Sequence, residues 1–151
     1  MTSAHASGNP ARARSAARKL LVQALYQRQL GGQSWQELHR QYSADPLFLR
    51  ADPEYFRAAL VAVCDDSARL DEELQRHSDI VPSRLDPVEH AILYLGCWEL
   101  MSRPDVPYRV IINEAVELAK RFGATDGHRF VNAVLDKASR VHRAVERGAV
   151  A

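Results

Sequence analysis

Phe56, Leu60, Val63, Ser67, Leu70 and Leu74 recur at spacings of 4, 3, 4, 3 and 4 residues, the repeat of one face of an α-helix and of no strand. Asp52-Pro53 stands just before them, a side-chain acceptor followed by the residue best suited to a first helical position. Together they predict a long amphipathic helix packed along most of its length on neighbouring helices. Asp86-Pro87 repeats the start signal. The helix it predicts is apolar almost all round, with Val88, Ala91, Ile92, Leu93, Leu95 and Trp98, and such a helix belongs at the centre of a core.

The rest of the chain obeys the same period. A helix is expected from about residue 11 to residue 30, with Ala17, Leu21, Ala24 and Leu25 on one face, the arginines mostly off it, and Gly31-Gly32 ending it. Ser34 with Glu37 three residues on is a capping box for a short helix. Pro104 and Pro107 separate the apolar helix from one over residues 108–122, with Ile111, Ala115, Leu118 and Phe122 as its stripe and Gly123 as its stop. Thr125-Asp126 should cap a last helix striped by Val131, Val134, Leu135, Ala138 and Val141. No stretch alternates with period 2 as a strand hairpin does. The expectation is an all-α orthogonal bundle over residues 11–145, with a disordered leader at 1–10 and a tail at 146–151.

Charge is distributed unevenly. Residues 1–36 hold five basic residues and no acid, residues 37–117 hold eight basic against sixteen acidic, and residues 118–151 hold seven against three. Basic ends around an acidic middle are a signal about partners rather than about fold. Packed side by side, the two ends would make one positive face for a polyanion. The longest mainly apolar run, residues 91–101, is too short to span a bilayer and is interrupted by Glu99. The first residues show no apolar stretch of the signal-peptide kind. Cys64 and Cys97 form no CxxC pair, which suits a reduced, cytoplasmic setting with both thiols in the core.

Nothing in the sequence invites catalysis. The six histidines form no HExxH pair, and the seven glycines form neither GxGxxG nor GxxxxGK[ST], so no metal and no cofactor is expected. Glu114 and Glu117, a turn before Lys120 and Arg121, read as a paired, solvated face. His90 reads as a satisfied surface or boundary histidine. Binding features are plainer. Arg12, Arg14 and Arg18 stand on the first helix, and His128, Arg129 and Phe130 in the first turn of the last one. A phenylalanine beside an arginine at an exposed helix start is a platform for an unstacked base, and backbone N–H groups there can meet a phosphate. The expected ligand is single-stranded RNA. Asp126, the expected N-cap, puts a negative charge where that phosphate would lie and should weaken RNA binding.

Residues 105–123 (DVPYRVIINEAVELAKRFG) and 130–137 (FVNAVLDK) resemble the signature of the NusB family of bacterial transcription antitermination factors. The likeness extends upstream through residues 86–93 (DPVEHAIL) and Tyr55-Phe56-Arg57 to residues 22–26 (VQALY), covering roughly residues 12–140. It implies about seven helices in two small subdomains and a non-enzymatic role. It also implies binding of the boxA element of ribosomal RNA leaders, in a heterodimer with the small-subunit ribosomal protein NusE. With other Nus factors, such a protein keeps RNA polymerase termination-resistant. By the same resemblance, Arg14, Arg18, Arg129 and Phe130 match the RNA face, Asp126 a position whose charge restrains RNA binding, and Tyr26 and Glu89 the NusE contact. Ser15 and Ala16 stand where the family often has arginines. Some members form homodimers that hide the RNA face.

Two other readings are distinguishable. A helical domain of this kind also occurs fused to ribosomal RNA cytosine methyltransferases. Such an enzyme needs a doubly wound domain with a glycine-rich cofactor loop, and none is found in these 151 residues. A protein adaptor whose basic ends are merely solvated would bind RNA weakly and with little dependence on salt.

Overall fold

The computed structural model describes residues 9–148; most of the expected leader and the last residues of the expected tail lie outside them. Among the described residues there are six α-helices and no strand: α1 (Pro10–Gly31), α2 (Trp35–Ser43), α3 (Pro53–Gln75), α4 (Pro87–Ser102), α5 (Tyr108–Phe122) and α6 (Gly127–His142). The described residues thus hold six, against the expected count of about seven. The remaining helical pieces, Pro46–Arg50 and Pro82–Arg84, are 3₁₀ turns of five and three residues. Segments that short do not recover the cost of nucleating an α-helix, whereas the tighter 3₁₀ bond closes at once.

The chain divides between Asp65 and Asp66 into two compact units. Helix α3 runs through the division, and at Asp66 its backbone leaves helical geometry (φ −112°, ψ 21°). The sequence repeat passes through this kink unbroken, so nothing in the periodicity announces it.

In the first unit the expected signals act as they should. Asn9 accepts from the Ala11 amide at 2.8 Å and opens α1. Gly32, at φ 72°, takes the left-handed conformation that ends it. Ser34 and Glu37 form both halves of the capping box, at 3.2 and 2.9 Å. Asp52 accepts from the Tyr55 amide at 3.0 Å and starts α3. Leu21, Leu25, Leu38, Phe56 and Leu60 are buried at its centre, with Phe48 set edge-on to Phe56 at 5.5 Å.

In the second unit α4, α5 and α6 pack against one another in all three pairings. Asp86 caps α4 through the Val88 and Glu89 amides, and every residue from Glu89 to Leu100 is buried, as its all-round apolarity demands. Gly96 lets α6 approach closely: a β-carbon there would fall 2.7 Å from a Leu135 methyl. His90 is buried and satisfied, with Nε2 2.6 Å from Asp71 Oδ1. Val131, Val134, Leu135 and Ala138 face the core, but Val141, expected on the same stripe, is 62% exposed; it lies in the last turn of α6, one residue from the helix end. Beyond α6, Glu146 accepts from the Tyr108 amide at 2.9 Å and Arg147 reaches Asp136 at 3.2 Å.

Candidate nucleic-acid interface

In the first unit the basic residues of α1 separate into two kinds. Arg12 is exposed at the helix start. Arg14 is half-buried, 3.8 Å from Asp52 Oδ2, with its guanidinium 4.5 Å from the centre of the Tyr55 ring. Arg18 is only 2% exposed and lies 5.5 Å from the same ring. This corrects the expectation that the arginines lie off the apolar face. Arg18 is three and four residues before Leu21 and Val22, and the buried sector of α1 is wide enough to include it. Its flat, weakly hydrated guanidinium tolerates that burial on an aromatic face.

What α1 does present is a cleft of about 1000 Å³. Arg12, Lys19 and Arg50 supply its positive charge against the one carboxylate of Asp52, Ser15 a hydroxyl, and Leu47 and Leu49 its apolar lining. Leu49 is 77% exposed. In the sequence Lys19 is only one of the five basic residues of 1–36, and Arg50 belongs to the acidic middle. Neither is separable from ordinary surface charge until the turn Pro46–Arg50 packs on α1.

In the second unit, Arg129 is 80% exposed in the first turn of α6, and Phe130 beside it is half-buried. No acid follows in that turn, so the helix start keeps its positive partial charge. Asp126 precedes it with φ 66°, and its side chain makes no capping hydrogen bond. The expected N-cap role is therefore corrected. Left-handed backbone turns the carboxylate away from the first amides, and it lies 3.6 Å from the Arg129 Nε instead. Aspartate and asparagine are among the few non-glycine residues that accept such a φ.

The two residues expected at a protein contact differ in exposure. Tyr26 is 37% exposed on α1. Glu89 is 9% exposed, and its carboxylate lies against Gly127 at the start of α6, where any β-carbon would collide with it. Burial, and then the neighbouring charge of Asp86, push the Glu89 carboxyl above the usual glutamate range. The native state therefore holds that proton to higher pH than the unfolded chain does. Stability from this group is present below the ordinary glutamate pKa of about 4.3 and is lost as pH rises through the raised value. Glu89→Gln is accordingly expected to raise the Tm at neutral pH, with the gain shrinking under acid conditions. A calorimetric Tm series against pH checks this, and an equal shift at every pH would contradict it.

Glu117 pairs with Lys120 at 3.6 Å, as the spacing implied. Cys64 and Cys97 are free and buried, and burial pushes the Cys97 thiol up to about 12, the mark of an inert core cysteine.

A family model described as the NusB family matches residues 15–140. A protein of Pseudomonas putida (strain W619) named transcription antitermination protein NusB is 50% identical over 133 residues, which are 87% of this chain and 80% of that one. A Hahella chejuensis protein of the same name is 48% identical over 124 residues, 82% of this chain and 83% of its own. A solved structure of T. maritima NusB superposes with a TM-score of 0.80 at 25% identity, covering 93% of this chain and 97% of that one.

Proposed function

The chain belongs to the NusB family, and from that premise we propose that it binds boxA RNA of ribosomal RNA leader transcripts together with NusE, so that RNA polymerase resists termination. Its general role is in transcription antitermination, and it is not an enzyme. We place this work in the cytoplasm; no helix among the described residues is long and apolar enough to cross a membrane.

The observation that carries the RNA reading is the exposed Arg129 beside half-buried Phe130 at the start of α6. An aromatic edge there can stack a splayed base while the guanidinium and the first-turn amides take the adjoining phosphate. In the first unit Arg12, Lys19 and Arg50 offer a second set of phosphate contacts around an apolar-floored cleft. Arg14 and Arg18 take part differently. Held on Tyr55, they stiffen the helix that presents Arg12. For NusE, a basic ribosomal protein, Tyr26 supplies an aromatic anchor and Glu89 a carboxylate drawn from the acidic middle.

The experiment is a fluorescence titration of boxA-type RNA at fixed salt, with and without NusE. Phe130→Ala is expected to weaken binding about tenfold, within the ~1–3 kcal/mol assigned to one stacked base. Asp126→Asn is expected to tighten it, because the substitution removes a negative charge, releases Arg129 and suits the same left-handed backbone. NusE is expected to raise the affinity for RNA. RNA binding that ignores NusE and both substitutions would overturn the assignment.

A further inference from the structure

The second unit holds a cluster that RNA binding does not use. Glu73 lies in the last turn of α3, His77 in the bend just after it, and His142 is the last residue of α6. Glu73 Oε2 is 2.9 Å from His77 Nε2 and 2.8 Å from His142 Nε2, and the three atoms lie within 4.8 Å of one another. We propose that these three side chains form a binding site for a divalent transition-metal ion of the zinc class.

The donor set is selective. Two imidazole nitrogens and one carboxylate oxygen suit zinc, cobalt or nickel, whereas calcium and magnesium call for oxygen throughout. Metal–ligand bonds of about 2.0–2.2 Å in a tetrahedron separate the donors by about 3.3 Å. Each nitrogen must therefore withdraw from the carboxylate by about half an ångström, which side-chain rotation supplies. Two helices end at the cluster, and the negative ends of their dipoles favour a cation there. Glu73 is 7% exposed, which strengthens its attraction for an ion, while the 21% exposed His142 side chain leaves a way in.

The groups around the cluster define its charge. Burial raises the Glu73 carboxyl, but hydrogen bonds from His142 and His77 outweigh it and hold the group below the usual range. Arg76 Nη1 takes the other carboxylate oxygen at 3.1 Å, leaving Oε2 alone for the ion. The charge of Glu73 also reaches Cys97, where that of Arg69 opposes it, and the Cys97 thiol keeps its proton. Three protein ligands leave one position for water.

The test uses the full chain, stripped of metal with a chelator and then titrated with zinc chloride by calorimetry and with cobalt chloride by visible absorption. The expected result is one ion per chain, the intense cobalt absorption of a four-coordinate site, and a zinc-dependent rise in Tm. Glu73→Gln, His77→Gln and His142→Gln should each weaken binding at least about tenfold, since even partners outside the ligand set cost about 10–100-fold. Arg76→Gln should tighten it, and His128→Gln should leave it unchanged; circular dichroism verifies the fold of each. The site is refuted by an absence of saturable binding, by binding that survives His77→Gln and His142→Gln combined, or by a thiolate charge-transfer band that places cobalt on cysteine.

Discussion

Arg143→Ala is expected to destabilise the folded protein by about 3–5 kcal/mol, the cost of removing one partner from a buried charged network. The Arg143 side chain is 6% exposed and uses all three of its nitrogens. Nε donates to the Leu100 carbonyl at 2.9 Å, Nη2 to Glu99 and Arg103 at 3.0 and 2.7 Å, and Nη1 to Val106 at 2.8 Å and to Glu146 at 2.6 Å. Three of those carbonyls belong to the end of α4, where intrahelical donors run out: Glu99 and Arg103 also accept from the Arg103 and Val106 amides at 2.9 and 3.0 Å, while Leu100 faces Pro104, which has no N–H to give. One side chain thus closes a helix that is buried from Glu89 to Leu100. Its loss takes from the Leu100 and Val106 carbonyls the donor that holds them, at about 1–3 kcal/mol for each one orphaned. Lysine recovers little, because a point charge with three donors cannot span the fork. Denaturant unfolding of Arg143→Ala and Arg143→Lys checks this, and a loss below about 1 kcal/mol for the alanine variant would mean that water replaces the fork.

RNA affinity is expected to fall about 50-fold between about 50 and 200 mM salt, on a slope of about −0.7 per phosphate for single strands and about four contacts. Arg12, Lys19, Arg50 and Arg129 are the four charges offered. Arg12→Ala and Arg129→Ala should each lower the slope by about 0.7 and weaken all RNA sequences alike, since phosphate contacts carry no sequence information. Phe130→Ala should weaken binding without altering the slope. A flat salt response would favour the adaptor reading, in which the basic ends are only solvated helix faces.

Helical class and most helix starts were legible because both depend on neighbours in the chain. The 4, 3, 4, 3, 4 repeat of α3, the Ser34–Glu37 box and the acceptors at Asp52 and Asp86 act through residues one turn away. The same holds for the family signature, two continuous stretches of residues. Asp126 shows where local reading stops: its type and place suggest a cap, but a backbone φ of 66° turns its carboxylate to Arg129. Arg18 is a second case, since its charge suggests a surface until Tyr55 of α3 lies under it.

Composition, period and capping residues determined by themselves that the chain is helical, where most helices begin, that its two ends are basic, and that Phe130 and Arg129 share a helix start. Tertiary structure alone decided which charges stay outside. It buried Arg18, gathered Lys19 and Arg50 beside Arg12, carried Arg143 to the end of α4, and joined Glu73 and His77 to His142, 69 residues from Glu73. The division follows from the reach of the forces. Backbone hydrogen bonding and side-chain periodicity act within a turn or two and leave a mark on consecutive residues. Burial and ion pairing join residues distant in the chain, and no spacing records which of them will meet.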